Sequence, residues 1–139
     1  MTQATKVLYT AKVHTVGARE NGTARSSDGR LDIKLSPPSV AAIGTNPEQL
    51  FAAGWSACFE AAMGIAARKT KVALPTDLAI DAEVDLCMSG DDYFLQARLN
   101  VNVPGLDREV VRALVNAAHQ TCPYSKAIRG NVDVAINVI

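Results

Sequence analysis

The stretch from Gly44 to Lys71, GTNPEQLFAAGWSACFEAAMGIAARKTK, constrains this chain more than any other. Asn46 can cap a helix, Pro47 suits its first position, and Gln49 can reach back to the cap's amide, so the start is well specified. From Leu50 to Ala67, Ser56 and Glu60 are the only strongly polar side chains, which leaves almost no face made for water. Something must surround this helix. A bilayer is the poorer candidate: the run is short, rich in Ala and Gly, and interrupted by Glu60. A buried helix of a soluble protein is expected, carrying one cysteine, Cys58, near its middle.

A length of 139 residues suits one domain, 1–139, with a real core. Fourteen basic residues balance fourteen acidic ones, so the chain has no electrostatic footprint for nucleic acid or for an anionic membrane. The three cysteines lie 29 and 35 residues apart, neither a paired disulfide framework nor a close set of metal ligands. MTQATKVLYT lacks the apolar run of a signal peptide, and a reducing cytoplasm is the expected location.

Along the chain, Val7, Tyr9, Ala11 and Val13 alternate with Lys6, Lys12 and His14, predicting a first strand over 6–16. Arg19-Glu20-Asn21-Gly22 reads as a turn, Thr23 to Ser26 as a second strand, and Leu31, Ile33 and Leu35 as a third, ended by Pro37 and Pro38. Beyond the long helix, Leu78 to Met88 and Tyr93 to Val103 alternate on either side of Ser-Gly-Asp-Asp, predicting a hairpin. Asp107 can cap a second helix with the stripe Val110, Val111, Leu114, Val115 and Ala118, which Pro123 interrupts. Asn131 to Ile139 closes the chain as a strand. The expected class is α+β, an antiparallel sheet with a long buried central helix and a second helix. Two helices are too few to cover the sheet and also bury the first of them, so an obligate homodimer is expected.

A cysteine inside an apolar helix is ordinarily a small core hydrophobe. Cys122 opens another possibility for Cys58. It lies in Thr-Cys-Pro-Tyr-Ser, at a helix break where a side chain can be presented, and two cysteines at two special places suggest a redox pair. Only the fold can bring them within bridging distance. Cys87 lies on the polar side of its strand and reads as an incidental surface thiol. A reactive cysteine must be partly thiolate, and Cys58 sits too deep in its helix for that helix's own dipole to help. A cation has to do it: Arg19, Arg25, Arg30 and Arg68 are candidates, with Arg19 favoured by its place in a loop beside glycine. Glu48 needs no role beyond complementing the helix N-terminus.

The motifs GTNPEQLFAAGWSACF and HQTCPYSKAIRGNVDV, with SSDGRLDIKLSPP ahead of the long helix, resemble the organic hydroperoxide resistance (Ohr) branch of the Ohr/OsmC family over essentially the whole chain. The resemblance implies an intertwined homodimer with active sites at its interface, and a thiol peroxidase that reduces organic hydroperoxides to alcohols. By the matching motifs Cys58 is the expected peroxidatic cysteine and Cys122 the resolving one, while Arg19 and Glu48 match the family's arginine and glutamate; Arg25 and Arg30 remain fallbacks. The implied reductant is a dithiol, a dihydrolipoyl group on a carrier protein, with no metal or bound cofactor. Alternatives are an OsmC-type peroxidase of broader substrate range and a non-catalytic lipid-binding dimer. A thioredoxin-like oxidoreductase is a weaker alternative still, because Cys-x-x-Cys is absent from the sequence.

Glu48 and Cys58 stand ten residues apart, about 15 Å along an unbroken helix, so one arginine cannot easily touch both within a chain. If Arg19 bridges a glutamate and Cys58, that Glu48 is expected from the partner chain. Phe51, Trp55, Phe59 and Met63 are candidates to line a pocket for the organic part of a peroxide, against the ordinary expectation that aromatic residues at helical spacing form core.

Overall fold

The computed structural model describes residues 3–39 and 41–139, in two compact units, Met1–Pro47 and Glu48–Ile139. In the first unit, strand β1 (Val13–Val16) is followed by a short helix α1 (Ala18–Asn21), β2 (Thr23–Ser26) and β3 (Asp32–Lys34), which form an antiparallel sheet in the order β1-β2-β3. The expected first strand over 6–16 is thus shorter. Strand pairing to β2 ends at Val13 opposite Ser26, and Val7, Leu8 and Tyr9 lie exposed before it. Alternation marks a chain ready to pair, but a ladder needs a partner. The expected turn at 19–22 is a helical turn instead. Gly17 and Ala18 enter it in the left-handed region, at φ 79° and 59°, and a Cβ on Gly22 would stand 2.3 Å from the carbonyl oxygens of Val16 and Ala18. Only glycine closes this turn so tightly.

The long helix α2 spans Pro47–Lys69 and is followed by β4 (Ala79–Ser89), β5 (Asp92–Asn102), α3 (Arg108–Thr121), α4 (Pro123–Ile128) and β6 (Asp133–Val138). The α2 helix ends as a Schellman-type cap, with Lys71 at φ 57° and the Val72 amide donating to the Ala67 carbonyl at 2.8 Å. Its buried residues, Trp55, Phe59, Ala62, Met63 and Ala67, make one stripe at helical spacing. They pack with Ala97, Leu99 and Val101 of β5 and with Val111, Leu114, Val115 and Ala118 of α3 in one core cluster. By length and composition α2 could cross a membrane, with a window of mean hydropathy 1.4, but a third of that window is already buried against its own chain. The helix is therefore covered on one side within this chain, while Ala53, Ala57, Ala61 and Ile65 of the other side are exposed.

The hairpin forms as expected, in register from Ala79 opposite Asn102 to Ser89 opposite Asp92, with Gly90 at φ 60° leading a two-residue loop. A charged ladder on one face fixes that register. Arg98 holds Asp85 through both guanidinium nitrogens, at 2.8 and 3.1 Å, and also meets Glu83, keeping the Asp85 carboxyl down at about 2. Asp107 caps α3 as expected, accepting from the Glu109 amide at 3.3 Å.

Two further features depart from the expectation. The closing strand β6 pairs parallel to β5, from Gln96–Asp133 to Val101–Val138, so the sheet β4-β5-β6 is mixed rather than antiparallel throughout. The crossover through α3 and α4 returns the chain to the same end of the sheet, as a parallel neighbour requires. Pro123 also does more than end a helix: it occupies the start of α4, where its missing N–H is harmless and its fixed φ is favourable.

Leu99 is fully buried at the centre of this core. Leu99→Ala should cost about 2–5 kcal/mol, read as a lower urea midpoint with an unchanged slope. A loss below about 1 kcal/mol would place the core elsewhere.

Candidate active site

Cys58 and Cys122 come together. Cys58 projects from the middle of α2 and is half-buried, whereas Cys122 is fully buried between α3 and α4, and both are free thiols. Cys122 is the one extended residue, at φ −61° and ψ 124°, that closes α3 and opens α4; its amide still donates to the Ala118 carbonyl at 2.7 Å, and its carbonyl accepts from Lys126 at 2.9 Å. The residue thus belongs to two helices at once. The two thiols are in hydrogen-bonding reach, and the Tyr124 backbone amide donates to the Cys58 sulfur.

These contacts set the Cys58 thiol above the ordinary thiol value. Burial is the largest cause, followed by the hydrogen bond with Cys122, while the Tyr124 amide acts in the opposite direction. Burial and the Cys122 hydrogen bond thus work against the Cys58 thiolate, and the Tyr124 amide works for it.

The short helix α4 is fastened to α2 by three side-chain contacts. The Trp55 indole Nε1–H donates to the Ser125 hydroxyl at 3.2 Å, and both residues are fully buried. Phe51 meets Tyr124 edge to face with ring centroids 6.3 Å apart, and it meets Trp55 at 6.1 Å. The Tyr124 ring also lies over Gly54, where an added Cβ would stand 2.8 Å from the phenol oxygen. Glycine one turn before Cys58 leaves that ring its place.

Of the other expected site residues, Glu48 stands in the first turn of α2, with Cys58 ten residues further on, about 15 Å by helical rise. Arg19 stands on α1 in the other unit, a third exposed, with its Nε 4.0 Å from the Glu20 carboxylate. Arg30 is 91% exposed beside Asp28, and Arg68 is an exposed residue of the last turn of α2. Trp55, Phe59 and Met63 are fully buried, whereas Phe51 keeps accessible surface. Cys87 is half-buried in β4 opposite Phe94, outside the core cluster. Tyr124, Ser125 and Gly54 did not stand out in the sequence. The signals that could have pointed to them are a proline positioned to begin a helix and a glycine in the middle of another.

Comparison with known proteins decides the family. A family model described as OsmC-like protein matches residues 39–137. The chain is 45% identical to an organic hydroperoxide resistance protein of Xanthomonas axonopodis pv. citri, over 99% of both chains. It belongs to the OsmC-like family, on the Ohr side. The chain is also 44% identical to the organic hydroperoxide resistance protein OhrB of Bacillus subtilis, over 94% of this chain and 98% of that one. The crystal structure of that OhrB superposes with a TM-score of 0.89 at 43% identity, covering 96% of this chain and 100% of the other. A Legionella pneumophila organic hydroperoxide resistance protein gives 0.88 at 42% identity, over 96% and 98%. The α+β Ohr/OsmC fold expected from the motifs therefore holds.

Because the hydrogen bond with Cys122 is among the causes that raise the Cys58 thiol, Cys122→Ala should lower the pH at which Cys58 becomes thiolate. The pH dependence of iodoacetamide alkylation at Cys58 reads this directly. An upward movement would show that Cys122 favours the Cys58 thiolate instead, and no movement would show that the two thiols do not interact.

Proposed function

We propose that this protein is a thiol-dependent peroxidase that reduces organic hydroperoxides to alcohols. The observation that carries the proposal is the pairing of a half-buried Cys58 with a fully buried Cys122 at a helix junction. The names of the relatives, organic hydroperoxide resistance proteins matched over nearly their whole length, support the same substrate class. They also support treating the whole chain, 1–139, as one functional unit.

In this mechanism the Cys58 thiolate attacks the peroxide oxygen distal to the organic group. The O–O bond breaks, the alkoxide takes a proton and leaves as alcohol, and Cys58 becomes a sulfenic acid. The Cys122 thiol then displaces hydroxide from that sulfur, forming the Cys58–Cys122 disulfide and water. A dithiol, with a dihydrolipoyl group on a carrier protein as the expected form, reduces the disulfide through a mixed-disulfide intermediate and becomes the oxidised pair.

The raised Cys58 thiol defines what Arg19 has to supply. Its guanidinium would stabilise the thiolate and orient the peroxide, and a glutamate would hold its fork in place. Since Glu48 and Cys58 are about 15 Å apart along α2, we assign that glutamate to Glu48 of a second copy. A homodimer also accounts for two features of the isolated chain: the exposed alanine face of α2 and the alternating segment ahead of β1 with Val7, Leu8 and Tyr9 in the open. Phe51, beside Tyr124, is the surface-reaching member of the four apolar pocket candidates and the one we assign to the organic group of the substrate. A cytoplasmic setting fits chemistry that needs reduced thiols.

The experiment follows loss of cumene hydroperoxide with dihydrolipoamide present. Wild type should turn over many times, Cys58→Ser should fall to background, and Cys87→Ser should stay within about twofold of wild type. Arg19→Ala should lower kcat/KM by roughly 100-fold or more, as removal of a charge-stabilising donor does. Normal turnover by Cys58→Ser defeats the proposal; binding of fatty-acid hydroperoxide without turnover by wild type would favour a lipid-binding dimer.

A further inference from the structure

The two cysteines lie beside the Trp55–Ser125 hydrogen bond and the Phe51–Tyr124 ring contact, which join the same two segments. Cys58 of α2 meets Cys122, and Trp55, three residues earlier on α2, donates to Ser125, three residues after Cys122. On a helix three residues are about 4.5 Å of rise, so the links stand side by side like adjacent rungs. We propose that the Trp55–Ser125 hydrogen bond is a positioning device for the resolving step, holding Cys122 where it meets oxidised Cys58 before a second peroxide does. The proposal rests on the peroxidase chemistry proposed above and adds a role for two residues outside that chemistry.

Three observations support it. The α4 helix has six residues, too few to hold its own shape, so its placement depends on what fastens it. Cys122 has extended backbone between two helices, so the direction of its side chain depends on how α4 is set against α2. Trp55 and Ser125 are both fully buried, so loss of either polar group leaves the other without its partner in a site that water does not reach.

The step at stake is a competition. Cys58 sulfenic acid and the Cys122 thiol give the disulfide and water, with the sulfenic sulfur accepting the Cys122 electron pair as hydroxide leaves. Cys58 sulfenic acid and a second organic hydroperoxide give the sulfinic acid and an alcohol, which the dithiol cannot reverse. A small displacement of Cys122 slows the first reaction and leaves the second untouched.

The test uses the full-length protein, cumene hydroperoxide, and rapid-quench mass spectrometry of Cys58. Ser125→Ala and Trp55→Phe should each slow disulfide formation roughly tenfold, and raise the sulfinic fraction of Cys58 per turnover in proportion. The first consumption of peroxide by Cys58 should fall less than about threefold in Ser125→Ala. The double variant should be no slower than the slower single one, because both remove the same bond. Disulfide formation within about twofold of wild type in both single variants overturns the proposal. So does equal slowing of both steps, the mark of a loosened fold, and so does multiplicative slowing in the double variant. A wild type whose Cys58 consumes no peroxide overturns the peroxidase chemistry itself, an outcome distinct from these.

Discussion

The break between α3 and α4 at Cys122-Pro123 is the constraint on which the site depends. Proline cannot continue α3 but is well suited to begin α4, and the single extended residue between the two helices carries the thiol inward to Cys58. Everything around the pair serves that junction. Trp55 and Ser125 hold α4 against α2, Gly54 leaves space for Tyr124, and the Tyr124 amide reaches the Cys58 sulfur.

Burial has opposing consequences at this site. It keeps Cys122 out of solvent, and it disfavours the Cys58 thiolate. The Tyr124 amide is a partial remedy. This is a second helix acting on the thiol from outside, a route not visible when Cys58 is considered only within α2. A guanidinium would complete it, and the exposed alanine face of α2 is where the proposed second copy would pack.

Much of the fold was legible in the sequence because its signals are local. The hairpin followed from two alternating runs around Ser89-Gly90, and α3 from Asp107 and a stripe of apolar residues at helical spacing. The parallel pairing of β6 was not legible, since alternation fixes which face is buried but not which neighbour a strand takes. Residues 6–12 alternate as a strand does, yet the ladder with β2 begins only at Val13, with one further bond from the Ser27 amide to the Lys12 carbonyl. The thiol pair was visible as two cysteines at unusual places; its closeness depended on long-range packing, as did the Trp55–Ser125 bond across 70 residues. Pro123 was read as an interruption because a six-residue helix has no hydrophobic period to announce it.

The central claim is that Cys58 and Cys122 form one redox unit. Peptide mapping of reduced protein after one equivalent of cumene hydroperoxide, with free thiols trapped by alkylation, tests it most directly. A Cys58–Cys122 disulfide with Cys87 alkylated is the expected result. Recovery of Cys58 and Cys122 both alkylated, or of Cys58 joined to Cys87, would contradict it.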